Sequence, residues 1–562
     1  MPAKLAHPWQ RYIAILALAA ALLLPGIVPA NAATGTASIS GKIQAPAGTD
    51  LTKVSILPAS SAGGSSVAAK ADGTFTVTGL AAGTYRIDFD GPNLIRQSIE
   101  SVTLQEGQAL ALPTVTLVKG ATISGKLTGT APDDLKALYV QAFDSTGTKS
   151  YSYVFPNTDG TYTLTKLPAG TYKIMARDVG RYVYSPALSF IEPKYASQWY
   201  SGAYTVSTAQ GVAVSAGATK SGIDFALVLG GEISGTVEGL NNEEYACVGA
   251  FLEGTTPSLV SVTQQQPAPA SKRLQEQPQA AAGDPCYHML AQNAVAHTSV
   301  NSDGSYTIRG LPAGSYRIYQ AVPFTWGEAG QQNKTSAPQW FNAKILRSSA
   351  ASTSLAADGS VSGIDFSLFP ERTFTDIPAG TQFHREISWL GSTGVSTGFP
   401  DGTYAPLNSV NRDAMAAFLY RLAGSPSFTP PASSPFTDVA TDNPFYKHIT
   451  WLAGQGISTG WTETDGTKTY RPLQSVNRDA MAAFLYRFAG SPGYTPPANS
   501  PFADVATNNQ FYKQITWLAN TGITTGWTEA NGTKTFRPLS PVNRDAMAAF
   551  LYRYGVFTGS IL

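Results

Sequence analysis

Two spacings of apolar residues divide this chain. Up to about residue 370 apolar and polar residues alternate between Asp-Gly and Ser-Gly steps, whereas further on apolar residues return every three or four positions. The first spacing predicts half-buried strands and the second amphipathic helices. In the strand-like part, three phrases recur: Asp72-Gly73-Thr74-Phe75 to Gly83-Thr84-Tyr85-Arg86-Ile87, Asp159-Gly160-Thr161-Tyr162 to Gly170-Thr171-Tyr172-Lys173-Ile174, and Asp303-Gly304-Ser305-Tyr306 to Gly314-Ser315-Tyr316-Arg317-Ile318. Thr-Tyr-Arg-Ile sends neighbouring side chains to opposite faces, and Asp-Gly permits the positive φ angles of a tight hairpin. The units open at Ile39-Ser40-Gly41, Ile123-Ser124-Gly125 and Ile233-Ser234-Gly235, so three β-sandwiches in tandem are expected. The third is longer, and its surplus from about Gln264 to Gly283 is rich in Gln, Pro and Ala, as an exposed loop would be.

In the helix-like part, Val-Asn-Arg-Asp-Ala-Met-Ala-Ala-Phe-Leu-Tyr-Arg occurs three times unchanged, at Val410 to Arg421, Val476 to Arg487 and Val542 to Arg553. Even repetition means one structural unit used three times. Met481, Phe484 and Leu485 fall at helical spacing, and Asn477 is placed to accept a bond from the free amides of the first turn. An earlier helix is expected from Phe445, Ile449 and Leu452, closed by Gly456. Before it comes an aromatic-polar-Asp-aliphatic step (Phe374 to Ile377, Phe436 to Val439, Phe502 to Val505). The loop between the two helices is shorter in the first copy, which marks a surface loop.

Composition narrows the class. Charged residues make up 13% of the chain and the formal net charge is +1, so no broad basic field suits nucleic acid and any anion site must be local. Lys4 and Arg11 precede the apolar run Ile13 to Leu24, followed by Pro25 and Ala30-Asn31-Ala32, the layout of a secretory signal over residues 1–32. That run is too short for a ~30 Å bilayer core, and no later run is apolar enough to span. Secretion makes the compartment oxidising, so Cys247 and Cys286 become candidates for a bridge; two buried free thiols are the alternative. The histidines His7, His288, His297, His384 and His448 form no zinc pattern, and neither metal nor cofactor is expected.

The candidate chemistry lies at the starts of the repeated helices. Arg412, Arg478 and Arg544 would each offer a guanidinium fork at a positive helix end, suited to a carboxylate, a ketal-linked pyruvate or a phosphate; pairing with an aspartate of the next repeat is the alternative. Phe399, Trp461 and Trp527 follow the glycine turn and either stack on a sugar ring or pack between repeats. Trp389, Trp451 and Trp517 are expected in the core. Trp199-Tyr200 and Trp340-Phe341 form a second aromatic set, either sugar-stacking or buried. The Gly-x-Ser-x-Gly matches at Gly394 and Gly456 read as turns, since no parallel-sheet pattern surrounds them. Asp224 and Asp365, in Gly-Ile-Asp-Phe, read as structural.

From Phe374 to Tyr554 the repeats resemble S-layer homology domains, modules that attach proteins noncovalently to secondary polysaccharides of bacterial cell walls. The resemblance implies three copies about a pseudo-threefold axis, with glycan in the grooves between copies and an arginine from a Thr-Arg-Ala-Glu motif holding it. That motif falls on Asn411-Arg412-Asp413-Ala414, Asn477-Arg478-Asp479-Ala480 and Asn543-Arg544-Asp545-Ala546: the arginine is kept, while alanine replaces the glutamate. The strand-rich part resembles the transthyretin-like or immunoglobulin-like sandwiches of carboxypeptidase regulatory-like domains and of Cna-type B domains in Gram-positive surface proteins.

The expected layout is a signal (1–32), sandwiches at 33–119, 120–230 and 231–371, then helical repeats at 372–424, 436–490 and 502–562 joined by linkers 425–435 and 491–501. The expected function is a secreted, non-catalytic cell-surface protein anchored to an acidic or pyruvylated wall polysaccharide, its sandwiches serving as stalk, adhesion or carbohydrate-binding modules. The alternative is an accessory or remnant of an amylase-like enzyme that recognises α-glucan through the sandwiches. A catalytic (β/α)8 barrel would take ~250 residues of alternating strand and helix, which this chain does not offer.

Overall fold

A computed structural model describes residues 35–59, 65–178, 180–184, 188–240, 246–255, 286, 293–321 and 337–561. The expected signal and the Gln264–Gly283 stretch lie outside the described residues. The chain forms two compact units. One comprises the residues up to Thr122 with Thr165–Ala169 and Ser215–Ala218, and the other holds the remainder.

The first unit contains a sandwich built from β1 (Ala37–Gln44), β2 (Ser55–Ala59), β3 (Val67–Ala68), β4 (Thr74–Leu80), β5 (Gly83–Asp90), β6 (Gln97–Leu104), β7 (Ala109–Ala111) and β8 (Val115–Thr116). One sheet pairs β1 antiparallel with β4 and parallel with β7 and β8; the other runs β3-β2-β5-β6. Alternation sends Ile39, Ile43, Phe75, Val77, Ile87 and Phe89 into the buried core between them. The Asp-Gly step departs from the expected hairpin: β3 and β4 belong to different sheets, so the turn carries the chain across the sandwich. Gly73 does take a positive φ of 83°, and a Cβ there would lie 2.3 Å from the Ile43 carbonyl oxygen. Asp72 fixes the turn by accepting from the Thr74 amide (2.9 Å) and hydroxyl (2.7 Å).

The second unit repeats this plan. One five-stranded sheet holds Ser150–Val154, Leu138–Phe143, Gly170–Asp178, Gln198–Trp199 and Gly211–Val214, and its counterpart in the third sandwich holds Ala296–Ser299, Cys247–Leu252, Gly314–Ala321, Gln339–Trp340 and Thr353–Leu355. Asp224 and Asp365 are structural: they accept the amides of Lys126 and Thr236, each at 2.8 Å, beside glycines whose Cβ would strike backbone. Cys247 and Cys286 are disulfide-bonded with their Cα atoms 5.5 Å apart, buried with Phe251, Tyr319 and Trp340.

The helical part of this unit, among the described residues, has six α-helices: α1 (His384–Ser392), α2 (Arg412–Leu422), α3 (Tyr446–Gly454), α4 (Arg478–Phe488), α5 (Tyr512–Asn520) and α6 (Arg544–Phe557). The second helix of each repeat packs on the first helix of the next, α2 on α3, α4 on α5 and α6 back on α1. Each junction is an aromatic pair: Tyr420 with Trp451 (5.2 Å between centroids), Tyr486 with Trp517 (5.3 Å) and Tyr552 with Trp389 (5.5 Å). Trp389, Trp451 and Trp517 are thus buried, at the repeat junctions.

At the axis three valines close a ring of backbone bonds. The Val410 amide donates to the Val542 carbonyl (2.8 Å), Val542 to Val476 (2.9 Å) and Val476 to Val410 (2.9 Å). Because each bond joins two repeats and the last returns to the first, the repeats form a closed pseudo-threefold ring. Asn411, Asn477 and Asn543 stand at the helix N-caps in extended conformation, but their side chains do not accept the capping bond expected of them. The first-turn amides go instead to the neighbouring repeat: Arg412 to the Gln474 carbonyl and Asp413 to that of Pro472, each at 3.0 Å, with equivalents in the other two copies. The Ala414 amide donates to its neighbour Asp413 (2.6 Å).

Candidate functional site: three arginine clefts in the helical ring

Each helix-start arginine reaches out of its own repeat into the loop of the next, so each cleft belongs to two repeats. Arg412 donates through Nε to the Tyr470 carbonyl (2.8 Å) and through Nη2 to Ser458 Oγ (2.9 Å), with its guanidinium 4.3 Å from the centre of Trp461 and 4.7 Å from that of Tyr470. Arg478 donates to the Phe536 carbonyl (2.7 Å) and lies 4.2 Å from Trp527. Arg544 donates to the Tyr404 carbonyl (2.7 Å) and to Ser396 Oγ (3.3 Å), and lies 4.8 Å from Phe399. The expected arginines and aromatics therefore do come together, always across a repeat boundary. The partners of each guanidinium are a carbonyl, aromatic rings and, for Arg412 and Arg544, a serine hydroxyl, not the carboxylate of a neighbouring aspartate.

Burial pushes all three guanidinium groups down from their ordinary pKa, Arg478 to about 10, which still leaves them cationic at neutral pH. Ring faces supply the compensating negative potential. The serines of the Gly-x-Ser-x-Gly turns are buried, and Ser396 and Ser458 serve as acceptors for arginine. Among the described residues, the hydrogen bonds to the protein engage Nε, and Nη2 in two clefts, and none engages Nη1.

Residues that sequence reasoning left aside fix the loops that receive the arginines. Asp438 accepts the amides of Tyr470 (2.7 Å) and Arg471 (2.6 Å); Asp504 and Asp376 do the same for their own loops. These are the aspartates of the aromatic-polar-Asp-aliphatic step, whose recurrence was the available signal. The bound residue takes a left-handed conformation in every copy: Ala405 (φ 53°), Arg471 (56°) and Arg537 (56°). Arg471 brings a second guanidinium to Trp461, at 4.4 Å, and pairs with Glu463 (3.1 Å); Arg537 does so with Trp527 (4.5 Å) and Glu529 (3.1 Å).

The second aromatic set is placed differently. Trp199 is 4% exposed and packs on Phe143 (5.2 Å), while Trp340 is wholly buried between Phe251 (5.4 Å) and Tyr319 (4.9 Å). Tyr200 packs edge-on to Phe225 and Phe341 to Phe366. Burial selects the core role over sugar stacking for both tryptophans. Trp340 also donates from Nε1 to the Ser560 carbonyl (3.0 Å), so it fastens the third sandwich to the residues that follow the ring.

Comparison with known proteins divides the chain along the same line. A carboxypeptidase regulatory-like domain matches residues 38–118, and an S-layer homology domain matches residues 373–416. S-layer protein EA1 of Bacillus anthracis is 30% identical over 114 residues, and an S-layer protein of Bacillus licheniformis 29% identical over 114 residues; each match covers 20% of this chain and 12% of the relative. The chain thus spans about an eighth of those relatives' length. Among solved structures, the Bacillus anthracis TIE protein is 11% identical over 59% of this chain and 50% of its own, with a TM-score of 0.15. The streptococcal ancillary pilin is 10% identical over 59% of this chain and 99% of its own, with a TM-score of 0.16.

The chain therefore combines tandem β-sandwiches with a helical ring, and none of the matched domain types is catalytic. It carries an S-layer homology domain, and with its S-layer relatives this indicates a secreted cell-surface protein. Among the described residues no helix is long and apolar enough to cross a membrane.

Proposed function

We propose that the helical ring anchors this protein to an acidic polysaccharide of the cell wall, and that the sandwiches are a non-catalytic stalk that displays or spaces the chain. The observation that carries this reading is the repeated cleft, in which a buried arginine and a half-exposed aromatic ring meet at a repeat boundary. A guanidinium held by its Nε and backed by rings cannot move to solvent, so its free edge is pre-positioned for a carboxylate, pyruvate ketal or phosphate oxygen. The ring beside it offers the apolar face that a sugar needs. We prefer this to the α-glucan reading because Trp199 and Trp340, two of the four aromatics that reading would use, are buried in the sandwich cores.

The test is co-sedimentation of the whole chain with purified cell walls, before and after chemical removal of the non-peptidoglycan polymers. Binding to native walls and none to stripped walls is expected. Equal binding to both would place the partner in peptidoglycan or protein and reject the reading.

A further inference from the structure

The outer face of the first sandwich carries chemistry that the other two lack. In the second and third sandwiches the strand that opens with Gly-Thr-Tyr or Gly-Ser-Tyr sets Met175 opposite Trp199 and Tyr319 opposite Trp340, and both apolar pairs are buried. The same position of β5 is Asp88, set opposite Ser98 of β6. Strand alternation sends Ile87 and Phe89 into the core, so Asp88 and Asp90 face away from it, beside Leu57 and Ser55 of β2. Over this face lies a cavity of about 440 Å³, lined by Lys53, Ser55, Asp88, Asp90, Arg96 and Lys166 among others, all of the first compact unit. That volume is within the range of small-molecule sites, ~300 to 1,000 Å³.

Asp88 is 2% exposed and accepts from Nε and Nη2 of Arg86 (3.2 and 3.1 Å), from Nη2 of Arg96 and from Ser98 Oγ (2.6 Å). Burial opposes its charge, but the bonds from Ser98, Arg96 and Arg86 outweigh burial and hold its carboxyl below the ordinary value. Two guanidinium groups thus share one carboxylate. Lys166 is balanced by Asp90 (2.8 Å) and Lys53 by Asp50 (3.8 Å), so one positive charge is left over. Its open end is Arg96, whose side chain is 51% exposed and in which, among the described residues, no hydrogen bond engages Nε or Nη1.

We propose that this cavity binds a sugar carrying one anionic group, a carboxylate or a phosphodiester. The unbonded donors of Arg96 receive the acid oxygen, while Ser55 Oγ and the second carboxylate oxygen of Asp90 receive hydroxyl groups. Leu57 and Pro92 give the sugar ring a small apolar wall. A single surplus charge beside hydroxyl partners suits a monoanionic sugar better than a polyanion or an apolar ligand. Because the buried carboxylate already aims Arg96, the side chain loses little freedom on binding. The site is separate from the ring clefts and does not depend on the wall-anchor reading.

The experiment is hydrogen-exchange mass spectrometry of the whole chain titrated with glucuronate, glucosyl phosphoglycerol or glucose, read locally at loop 91–96, which borders the cavity. Slower exchange there with at least one of the two acids and not with glucose is expected, and the acid that protects identifies the source of the anion. Arg96→Ala should abolish the protection, and Asp88 keeps Arg86 and Ser98 as partners in that variant. Asp90→Asn retains an acceptor but releases the charge of Lys166, so the protecting acid should bind at least threefold more tightly. No protection by either acid, equal protection by glucose, protection that survives Arg96→Ala, or weaker binding in Asp90→Asn would overturn the inference. Co-sedimentation with cell walls reads the anchor separately and should be the same in Arg96→Ala as in the wild type, whichever way the exchange result falls.

Discussion

Removing the Trp340 side chain separates its structural role from a sugar-binding one. The ring is wholly buried, in contact with Phe251 and Tyr319 and with the Arg347 guanidinium 5.4 Å from its centre, and its Nε1 is bonded to the Ser560 carbonyl. Arg347 depends on the same site: burial pushes it down to about 10, its guanidinium donates to the Leu252 carbonyl (2.9 Å), and its amide donates to Ser560 Oγ (3.1 Å). Truncating a buried Trp to Ala costs ~3 to 5 kcal/mol in packing, and the lost hydrogen bond adds ~1 kcal/mol. Trp340→Phe keeps most of the packing and loses the bond, so about 1 to 2 kcal/mol is expected. The assay is urea unfolding of the whole chain followed by circular dichroism, with polysaccharide binding measured in parallel. Trp340→Ala should lower the midpoint of the transition that includes the third sandwich, with Trp340→Phe between it and the wild type. An unchanged midpoint together with lost glycan binding would refute the reasoning and restore Trp340 as a ligand contact.

Three further outcomes follow from the same geometry. Burial raises the carboxyl pKa of Asp413, Asp479 and Asp545, so their contribution to stability is full below the ordinary carboxylate value of ~3.9 and is lost as pH rises through the raised values. Substituting all three by Asn, which keeps the acceptor for the following amide, should raise the thermal midpoint at neutral pH, with the advantage shrinking on acidification; a constant offset across that range would contradict this. Gly460→Ala should destabilise by roughly 2 kcal/mol or more, because φ is +72° and a Cβ would lie 2.3 Å from the Thr469 carbonyl oxygen, whereas Gly466→Ala at φ +82° meets open space and should cost about 1 kcal/mol in the same melting assay. Replacing Cys247 and Cys286 by Ser should cost about 4 kcal/mol, the chain-entropy value for a sequence separation of 39, read from the shift in urea midpoint between variant and oxidised wild type.

Much of the fold could be read from spacing. The alternation of Phe75 and Val77 with threonines, and the helical return of Met481, Phe484 and Leu485, placed strands, helices and cores because burial depends on which face a residue occupies. The Asp-Gly turns were identified, but their role as crossings between sheets was not, since a turn's backbone angles do not say which strands it joins. The arginines and rings of the clefts were visible as recurrences. Their pairing across repeats was not, because Arg412 and Trp461 meet only when the ring closes. The cap predicted for Asn477 failed for the same reason: a neighbouring repeat's carbonyls satisfy the first-turn amides, and no local pattern encodes that. Trp199 and Trp340 show the converse limit, since an aromatic beside a strand reads alike whether its face is open or covered.

The central claim is that glycan is held in the ring, at a boundary between repeats. The most direct measurement is a crystal structure of the whole chain with an oligosaccharide cut from its own wall polysaccharide. The account predicts an acidic sugar at a repeat boundary, its ring against Phe399, Trp461 or Trp527 and its oxygen on the guanidinium of Arg544, Arg412 or Arg478 beside it. Sugar bound on a sandwich face, with the ring clefts holding only solvent, would contradict it.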